Sequence, residues 1–375
     1  MNSSQILNAL RINKPDSDVL IEQYGKWNNK LGSFRRMPSI YFFYITDICN
    51  LDCHYCWQRA AKSTPNPISE LNLEEWIQIV DNLPKFSFVG LSGGEATVFP
   101  EIKELVKKIK ANSHPMSLNT NGILLEEDKL MAFVESGMDN ISISVDGFAK
   151  NFDKARGYEG LFDRIERNVK RLNRIKKEMG TNKPTLTIKT VLLDECVDEL
   201  DDLYDYVTNE LLAENLNISF MKTSDHVQMD TRILQEWQQV LDKGKPVLHA
   251  YENREKIVHT LLRLLEKSKG SKCTVSLYPK MKTEKEIRYF LENDGVNVYQ
   301  PCHVPWAMSI VSPVGDVIPC LSLNMGNLRE HKYNIKKIYY SQKYNEFLNW
   351  LDKLNDAKNT GSPCNMCCFL RVKEN

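Results

Sequence analysis

The chain has 375 residues, of which 42% are hydrophobic and 26% are charged. This composition is typical of a globular enzyme rather than of a disordered or fibrous protein. The 49 basic and 49 acidic side chains give a net charge of zero, so charge provides no general attraction to nucleic acid or to an anionic membrane. No apolar run is long enough to span a bilayer. We therefore expect neither nucleic acid nor a membrane as a partner.

The start of the chain predicts a cytoplasmic protein. Residues 1–36 are polar and are expected to form an N-terminal arm that is helical at most. The first thirteen residues lack the apolar core of a signal peptide. The chain has ten cysteines, and without an export signal their number favours metal ligation over disulfides.

From residue 39 onward, strand-like apolar runs alternate with amphipathic, helix-like stretches. The strands are predicted at 40–46, 86–91, 116–119, 141–145, 186–192 and 216–221. The helices between them are predicted near 73–83, 101–111, 126–136, 161–179 and 197–212. This order predicts a parallel sheet with right-handed crossovers. On the pattern alone, that sheet is either doubly wound and open or part of a barrel.

A cysteine loop follows the first predicted strand and is the first chemical signal. Cys49, Cys53 and Cys56 have the spacing C-x3-C-x2-C. A cubane of four irons normally takes four thiolates, so three protein ligands leave one iron open to a small molecule. The alternatives are a zinc knuckle with His54 as the fourth ligand and oxidised structural thiols.

Short polar motifs follow the next three predicted strands. They are Ser92-Gly93-Gly94-Glu95, Asn119-Thr120-Asn121-Gly122 and Ser144-Val145-Asp146-Gly147. In the first, the glycines let the backbone approach a ligand closely, and the carboxylate can accept hydrogen bonds from an ammonium group. Taken singly, each motif also fits an ordinary turn.

The last third of the chain is less regular and carries a second group of cysteines. Helices are predicted at about 231–243, 254–268 and 283–292, with a strand at 273–277. Residues 311–320 predict a strand, a turn and a strand, and a helix follows around 335–354. The cysteines of this segment are Cys302, Cys320, Cys364, Cys367 and Cys368. The remaining two, Cys196 and Cys273, are predicted to be buried free thiols.

Taken together, these features resemble the radical S-adenosylmethionine (SAM) superfamily over residues 39 to 370. They include Tyr55, the aromatic residue just before the last cysteine of the loop. The resemblance implies a partial (β/α)6 TIM-type barrel, an α/β fold whose site lies at the C-terminal ends of the strands. It also implies a [4Fe–4S] cluster on Cys49, Cys53 and Cys56 that chelates SAM. Reductive cleavage of SAM then yields a 5′-deoxyadenosyl radical, which abstracts a hydrogen atom.

The resemblance further implies which residues bind SAM and a second cluster. The SAM-binding residues are Gly93, Gly94 and Glu95 at the methionine amino group, Ser144 and Asp146 at the ribose or methionyl part, Tyr55 near the adenine, Arg156 at the carboxylate, and Asn119. The C-terminal segment resembles SPASM/twitch extensions, which bind auxiliary iron–sulfur clusters. One auxiliary [4Fe–4S] cluster for electron transfer is expected on Cys302, Cys320, Cys364 and Cys367, with Cys368 spare. Zinc is the alternative metal for this set.

The predicted division of the chain is an N-terminal arm at 1–36, a barrel core at 37–225, a helical linking region with substrate determinants at 226–300, and an auxiliary cluster domain at 301–375. The predicted substrate is a small molecule or a peptide, in natural-product biosynthesis or in peptide or protein modification. Flavodoxin or ferredoxin is the expected electron donor. The alternative function is a non-catalytic iron–sulfur or zinc-binding electron carrier or scaffold. The motifs for a SAM pocket count against it, because a carrier has no need of one.

Overall fold

A computed structural model describes residues 17–56, 68–221, 248–294, 298–319, 323–356 and 372. The strands in this part of the chain are β1 Ile40–Tyr44, β2 Phe88–Ser92, β3 Met116–Thr120, β4 Asn140–Ser144, β5 Thr185–Leu192, β6 Asn215–Phe220, β7 Thr274–Tyr278, β8 Met308–Val311 and β9 Val317–Ile318. The helices before β6 are α1 Ser17–Lys30, α2 Leu73–Asp81, α3 Ile102–Ala111, α4 Glu127–Glu135, α5 Ala149–Arg156, α6 Leu161–Glu178 and α7 Leu200–Asn209. Those after β6 are α8 Arg254–Lys267, α9 Glu284–Glu292, α10 Val304–Ala307, α11 Ile335–Tyr339 and α12 Gln342–Asp356.

The described strands form one sheet in the order β7-β6-β5-β4-β3-β2-β1-β8-β9. Every neighbouring pair from β7 to β8 is parallel, and only β8 and β9 are antiparallel. Strands β1 to β7 follow one another in chain order, so right-handed crossovers carry the connecting helices to one face, as in a barrel. The order of the described strands has two free ends, so this barrel is partial. The predicted α/β fold class is confirmed. Parallel strands of this kind end at the same edge, and the candidate site lies at that edge.

Local sequence explains both the helices and the strand faces. Helix α2 starts in a capping box, where Asn72 accepts the Glu75 N–H and Glu75 accepts the Asn72 N–H, which satisfies two backbone donors at the helix start. On the strands, alternate residues such as Leu118, Ile143 and Ile188 are fully buried. Each such side chain contributes about 1.5–3 kcal/mol through removal from water. This alternation leaves the other face of the strands for polar residues.

Among the α-helices described in the barrel region, α5 is the one that the sequence pattern missed. Its eight residues are mostly polar, and Phe152, Ala155 and Arg156 are the ones it buries. Gly157 ends it in the left-handed region, at φ 67°, where glycine carries no steric cost. A helix this short and polar gives too weak a periodic signal to detect. The predicted helix at 231–243 lies outside the described residues.

The sheet extends across the predicted divisions of the chain. Strand β7, from the predicted linking region, pairs with β6, and β8, from the predicted C-terminal domain, pairs with β1. At the N-terminus, the fully buried Asn28 of α1 donates hydrogen bonds to the carbonyls of Arg36 and Trp306. Helix α1 is therefore tied to the C-terminal part of the chain. The domain boundaries themselves stay a prediction.

Candidate functional site

The cysteine loop lies at the carboxyl edge of the sheet, directly after β1. Cys53 is buried, while Cys49 and Cys56 are partly exposed, and the Cys56 N–H donates to the Cys53 carbonyl at 3.1 Å. Burial raises the pKa of the Cys53 thiol, although the nearby Arg156 acts in the opposite direction. Within the described residues, no three His, Cys, Asp or Glu side chains converge closely enough to hold a metal ion. The ligand role of the three cysteines thus stays a prediction from their number and spacing on one loop, a donor set that suits a three-thiolate cluster.

The Gly-Gly-Glu loop after β2 packs directly against the cysteine loop. The Gly94 N–H donates to the Thr46 carbonyl at 2.7 Å, and the Glu95 N–H donates to the Ile48 carbonyl at 2.8 Å. A Cβ atom at Gly94 would lie 2.3 Å from the Ile48 oxygen, and one at Gly93 would lie 2.4 Å from the Thr46 oxygen. These glycines are required by contact between two protein backbones. The ligand approach expected from the sequence is not needed to explain them.

Glu95 is the buried anchor of this edge, with 2% of its surface exposed. Its Oε1 atom accepts hydrogen bonds from the N–H of Thr97 at 3.0 Å and from the hydroxyls of Thr97 and Thr120 at 2.5 and 2.6 Å. Its Oε2 atom accepts the Asn121 N–H at 2.6 Å. The Asn121 side chain in turn donates to Asn50 at 2.7 Å. Glu95 therefore joins the loops after β2 and β3, and Asn121 joins them to the cysteine loop.

A polar row crosses the inner face of the sheet. Ser144, Lys189, Asn217 and Ser276 are in register on four adjacent strands, β4 to β7. The Lys189 ammonium donates to the Asn119 side chain at 2.7 Å. Sequence reasoning identified Asn119 and Ser144 but missed Lys189. The available signal was the alternation in β5, which puts Lys189 on the face opposite the buried Ile188 and Thr190.

Tyr55, Asp146 and Arg156 meet behind the cysteine loop. Asp146 is fully buried and pairs with Arg156, whose Nε and Nη2 atoms lie 2.9 and 2.6 Å from its Oδ2 atom. The Tyr55 hydroxyl donates to the same oxygen. Burial and the charge of Asp146 raise the pKa of Tyr55 far above its ordinary value. Burial alone would lower the pKa of Arg156, but the charge of Asp146, smaller contributions from Tyr55 and Cys53, and the hydrogen bond to Asp146 together outweigh it, so that pKa is raised.

This arrangement bears on the predicted SAM contacts of Asp146 and Arg156. Both side chains are already engaged with each other, and Asp146 Oδ1 accepts the Val191 N–H at 2.8 Å. Direct contact of either side chain with SAM stays a prediction; the bonds to Asp146 use Nε and Nη2 of Arg156 and not its Nη1 group. Arg156 is 7% exposed, so its ion pair with Asp146 is buried and not a surface pair.

The other predicted ligands differ in how far the structure describes them. His54 turns its Nδ1 atom toward the Ala155 carbonyl at 3.0 Å, which leaves only Nε2 for a metal in the zinc-knuckle interpretation. Cys302 is buried at the start of the C-terminal segment. Cys196 and Cys273 are buried, as predicted, and neither forms a disulfide within the described residues. The other predicted auxiliary ligands, Cys320, Cys364 and Cys367, and the spare Cys368, lie outside the described residues.

Two family models match the chain. The radical SAM superfamily model matches residues 43–207, which include the cysteine loop and the motifs after β2, β3 and β4. The SPASM model, described as an iron–sulfur cluster-binding domain, matches residues 302–368. The second match begins at Cys302, a predicted auxiliary ligand, and ends at Cys368, the cysteine predicted to be spare. The two matches are separate and follow each other in the order that the sequence predicts.

Similar proteins include a cofactor-modifying protein, a maturation protein and a heme synthase. A tungsten-containing aldehyde ferredoxin oxidoreductase cofactor-modifying protein of Pyrococcus furiosus is 26% identical over 46% of this chain and 50% of its own. The sporulation killing factor maturation protein SkfB of Bacillus subtilis is 28% identical over 44% of this chain and 38% of its own. An AdoMet-dependent heme synthase of Methanosarcina barkeri is 23% identical over 89% of this chain and 90% of its own. The chain thus spans half or less of the length of the first two.

Solved structures share the fold. Streptococcus suis SuiB bound to its precursor peptide SuiA has a TM-score of 0.61 at 15% identity, over 97% of this chain and 77% of that one. Native anSMEcpe with bound AdoMet has a TM-score of 0.58 at 17% identity, over 88% of each chain. At these identities the likeness concerns the fold alone.

The fold, the motif loops at one edge of the sheet and the two family matches lead to the same assignment. None of the described helices combines the length and the apolar character needed to cross a bilayer. The cysteine loop, the Gly-Gly-Glu loop and the loops after β3 and β4 all fall inside the first family match. The chain is an enzyme of the radical SAM superfamily with a C-terminal SPASM-type iron–sulfur domain.

Proposed function

We propose that this enzyme cleaves SAM reductively and removes a hydrogen atom from a small-molecule or peptide substrate, with one auxiliary [4Fe–4S] cluster for electron transfer. When bound, the cluster on the cysteine loop supplies the electron that cleaves SAM, and the resulting 5′-deoxyadenosyl radical takes the hydrogen atom. Cys49, Cys53 and Cys56 would hold this cluster. Cys302 and three cysteines outside the described residues would hold the auxiliary one.

The observation that carries the proposal is the direct joining of the two motif loops. The cysteine loop is fastened to the Gly-Gly-Glu loop by two backbone hydrogen bonds and to the loop after β3 by the Asn121–Asn50 bond. Three loops that are distant in sequence are thus joined by hydrogen bonds at one edge of the sheet. A non-catalytic electron carrier needs thiolates but has no use for the buried Glu95 anchor beside them. The joining therefore supports a site built for a ligand on the open iron.

The substrate class follows from the inner face of the sheet and from the relatives. The side chains of Ser144, Asn217 and Ser276 have no hydrogen-bond partner among the described residues and are only partly buried, which suits a polar substrate group. Among the relatives, SkfB is named as a maturation protein and SuiB binds a precursor peptide. The heme synthase, which aligns over most of this chain, supports a small molecule equally. We propose a polar substrate of either class. Reduced flavodoxin or ferredoxin is the proposed electron donor.

The first test concerns the radical-forming cluster. Protein reconstituted with iron and sulfide without oxygen should release 5′-deoxyadenosine from SAM when dithionite is added. Alanine at Cys49, Cys53 and Cys56 together should abolish this release, because the cluster loses its protein ligands. Cys273→Ala is the matched control, since it removes a buried thiol outside the predicted ligand set. Release of 5′-deoxyadenosine by the triple variant, or no SAM binding by the wild type, would reject the proposed function.

The second test counts iron. Two four-iron clusters predict about eight irons per wild-type chain and about four in Cys320→Ala. Cys367→Ala should lose iron and Cys368→Ala should not. The Cys320→Ala protein should still cleave SAM but fail to complete turnover. Zinc in place of the second cluster would overturn the auxiliary part of the proposal.

A further inference from the structure

The two halves of the cysteine loop form hydrogen bonds with different parts of the barrel. The half that holds Cys49 is bound to the loops after β2 and β3, through the Ile48 carbonyl and the Asn50 side chain. The half that holds Cys53 and Cys56 lies against the loop after β4 and the end of α5. The second fastening consists of side chains that the first does not touch, so it can be disturbed independently.

Asp146 is the centre of the second fastening. Its Oδ1 atom accepts the Val191 N–H of β5 at 2.8 Å, so the carboxylate is fixed to the sheet. Its Oδ2 atom accepts two N–H groups of Arg156 and the Tyr55 hydroxyl. Both charges are almost completely removed from water. Buried, paired charges of this kind favour one geometry, because a departure from it leaves a charge without a partner.

Tyr55 connects this buried pair to the cysteine loop. The Arg156 guanidinium lies 5.5 Å from the centre of the Tyr55 ring, within the range of a cation–π interaction. The neighbouring His54 N–H and ring both contact the Ala155 carbonyl, at 3.4 and 3.0 Å. Tyr55 precedes Cys56 directly and follows Cys53 by two residues. The positions of both thiols therefore depend on where the Tyr55 side chain is held.

We propose that Asp146 and Arg156 are positioning residues that act through Tyr55 to hold Cys53 and Cys56 in place for the cluster. This inference rests on the proposed function, because it concerns the ligands of the predicted cluster. It gives the two charged residues a role in shaping the cluster loop that is distinct from the direct SAM contacts that the sequence resemblance implies. The Tyr55 hydroxyl is the link through which that role can be tested.

Tyr55→Phe removes the hydroxyl and keeps the ring, so folding should survive. The matched control is Tyr206→Phe, which removes a similar hydroxyl bond to Glu166 between two outer helices. In metal-free protein, hydrogen–deuterium exchange at residues 50–56 should be about tenfold faster in Tyr55→Phe, the effect of losing one hydrogen bond to a charged group. The control should match the wild type. Equal exchange in Tyr55→Phe and the wild type would overturn the proposal.

The reconstituted protein provides the second readout. In Tyr55→Phe, about four irons should pass to a chelator severalfold faster than in the wild type, and the electron paramagnetic resonance signal of the reduced cluster should change. Tyr206→Phe should alter neither. If Arg156→Lys weakens SAM binding but leaves iron release unchanged, Arg156 contacts SAM and the positioning role is wrong. A wild-type protein that takes up no iron would refute the proposed function, while the exchange measurement would still test the contact itself.

Discussion

Replacing Glu95 with glutamine tests the anchor of the site. One carboxylate oxygen accepts three hydrogen bonds, from Thr97 and Thr120, and the other accepts the Asn121 N–H. With 2% of the side chain exposed, water cannot replace a lost partner. The NH2 group of the glutamine side chain must take the place of one carboxylate oxygen, so it faces either the Asn121 N–H or the Thr97 N–H. Since both are donors, one buried N–H group is left without an acceptor.

The size of the effect follows from these contacts. A buried donor left unsatisfied costs about 1–3 kcal/mol, and the bonds that survive become neutral and weaker. We expect the free energy of unfolding of the metal-free protein to fall by about 2–4 kcal/mol, as measured by denaturant titration. Glu104→Gln, at an exposed position of α3, is the control and should change it by less than about 0.5 kcal/mol. An unchanged free energy of unfolding in the Glu95 variant would refute the buried hydrogen-bond network.

The same variant separates anchoring from SAM binding. If Glu95 also accepts a charge-assisted bond from the SAM ammonium, SAM affinity in the reconstituted protein should fall about tenfold. Thr97→Val removes one hydroxyl bond to the carboxylate but keeps its charge, so it should destabilise the fold and leave SAM affinity nearly unchanged. Unaltered SAM binding in Glu95→Gln would reject the contact with SAM.

Two further predictions concern packing and pH. In the Gly94→Ala variant the new Cβ atom would lie 2.3 Å from the Ile48 oxygen. The control is Gly137→Ala, whose Cβ atom meets no atom within 4 Å and whose backbone conformation alone costs about 1–2 kcal/mol. The melting temperature of the Gly94→Ala protein should be well below that of the Gly137→Ala protein. Hydrogen bonding from Arg329 lowers the pKa of Glu75 from 4.5 to about 2. The stability that the Glu75–Arg329 pair provides is therefore present above pH 4.5 and is lost as the pH falls toward 2. The difference in unfolding free energy between the wild type and Glu75→Gln should therefore shrink over that interval. A difference independent of pH would contradict the ion pair.

Much of the site could be found from local patterns. The cysteine spacing identified the loop after β1, and strand ends marked by Gly or Asn identified the loops after β2, β3 and β4. These signals are local because a turn or a ligand loop is specified by a few neighbouring residues. Lys189 was missed because the alternation in β5 shows only the face on which it lies and not that it has a function. Only its register with Ser144 and its bond to Asn119 show that it belongs to the site.

The sequence by itself determined the alternation of strands and helices, the parallel sheet and the order of the motif loops, since periodicity and turn chemistry act over short stretches of chain. Only the tertiary structure decided which side chains meet. Tyr55 and Asp146 are 91 residues apart, and no periodic pattern predicts their bond. The same holds for β8, which reaches the sheet beside β1 across more than 260 residues of chain. Such contacts depend on how whole elements pack, because the burial of distant apolar faces brings together polar groups that the sequence separates.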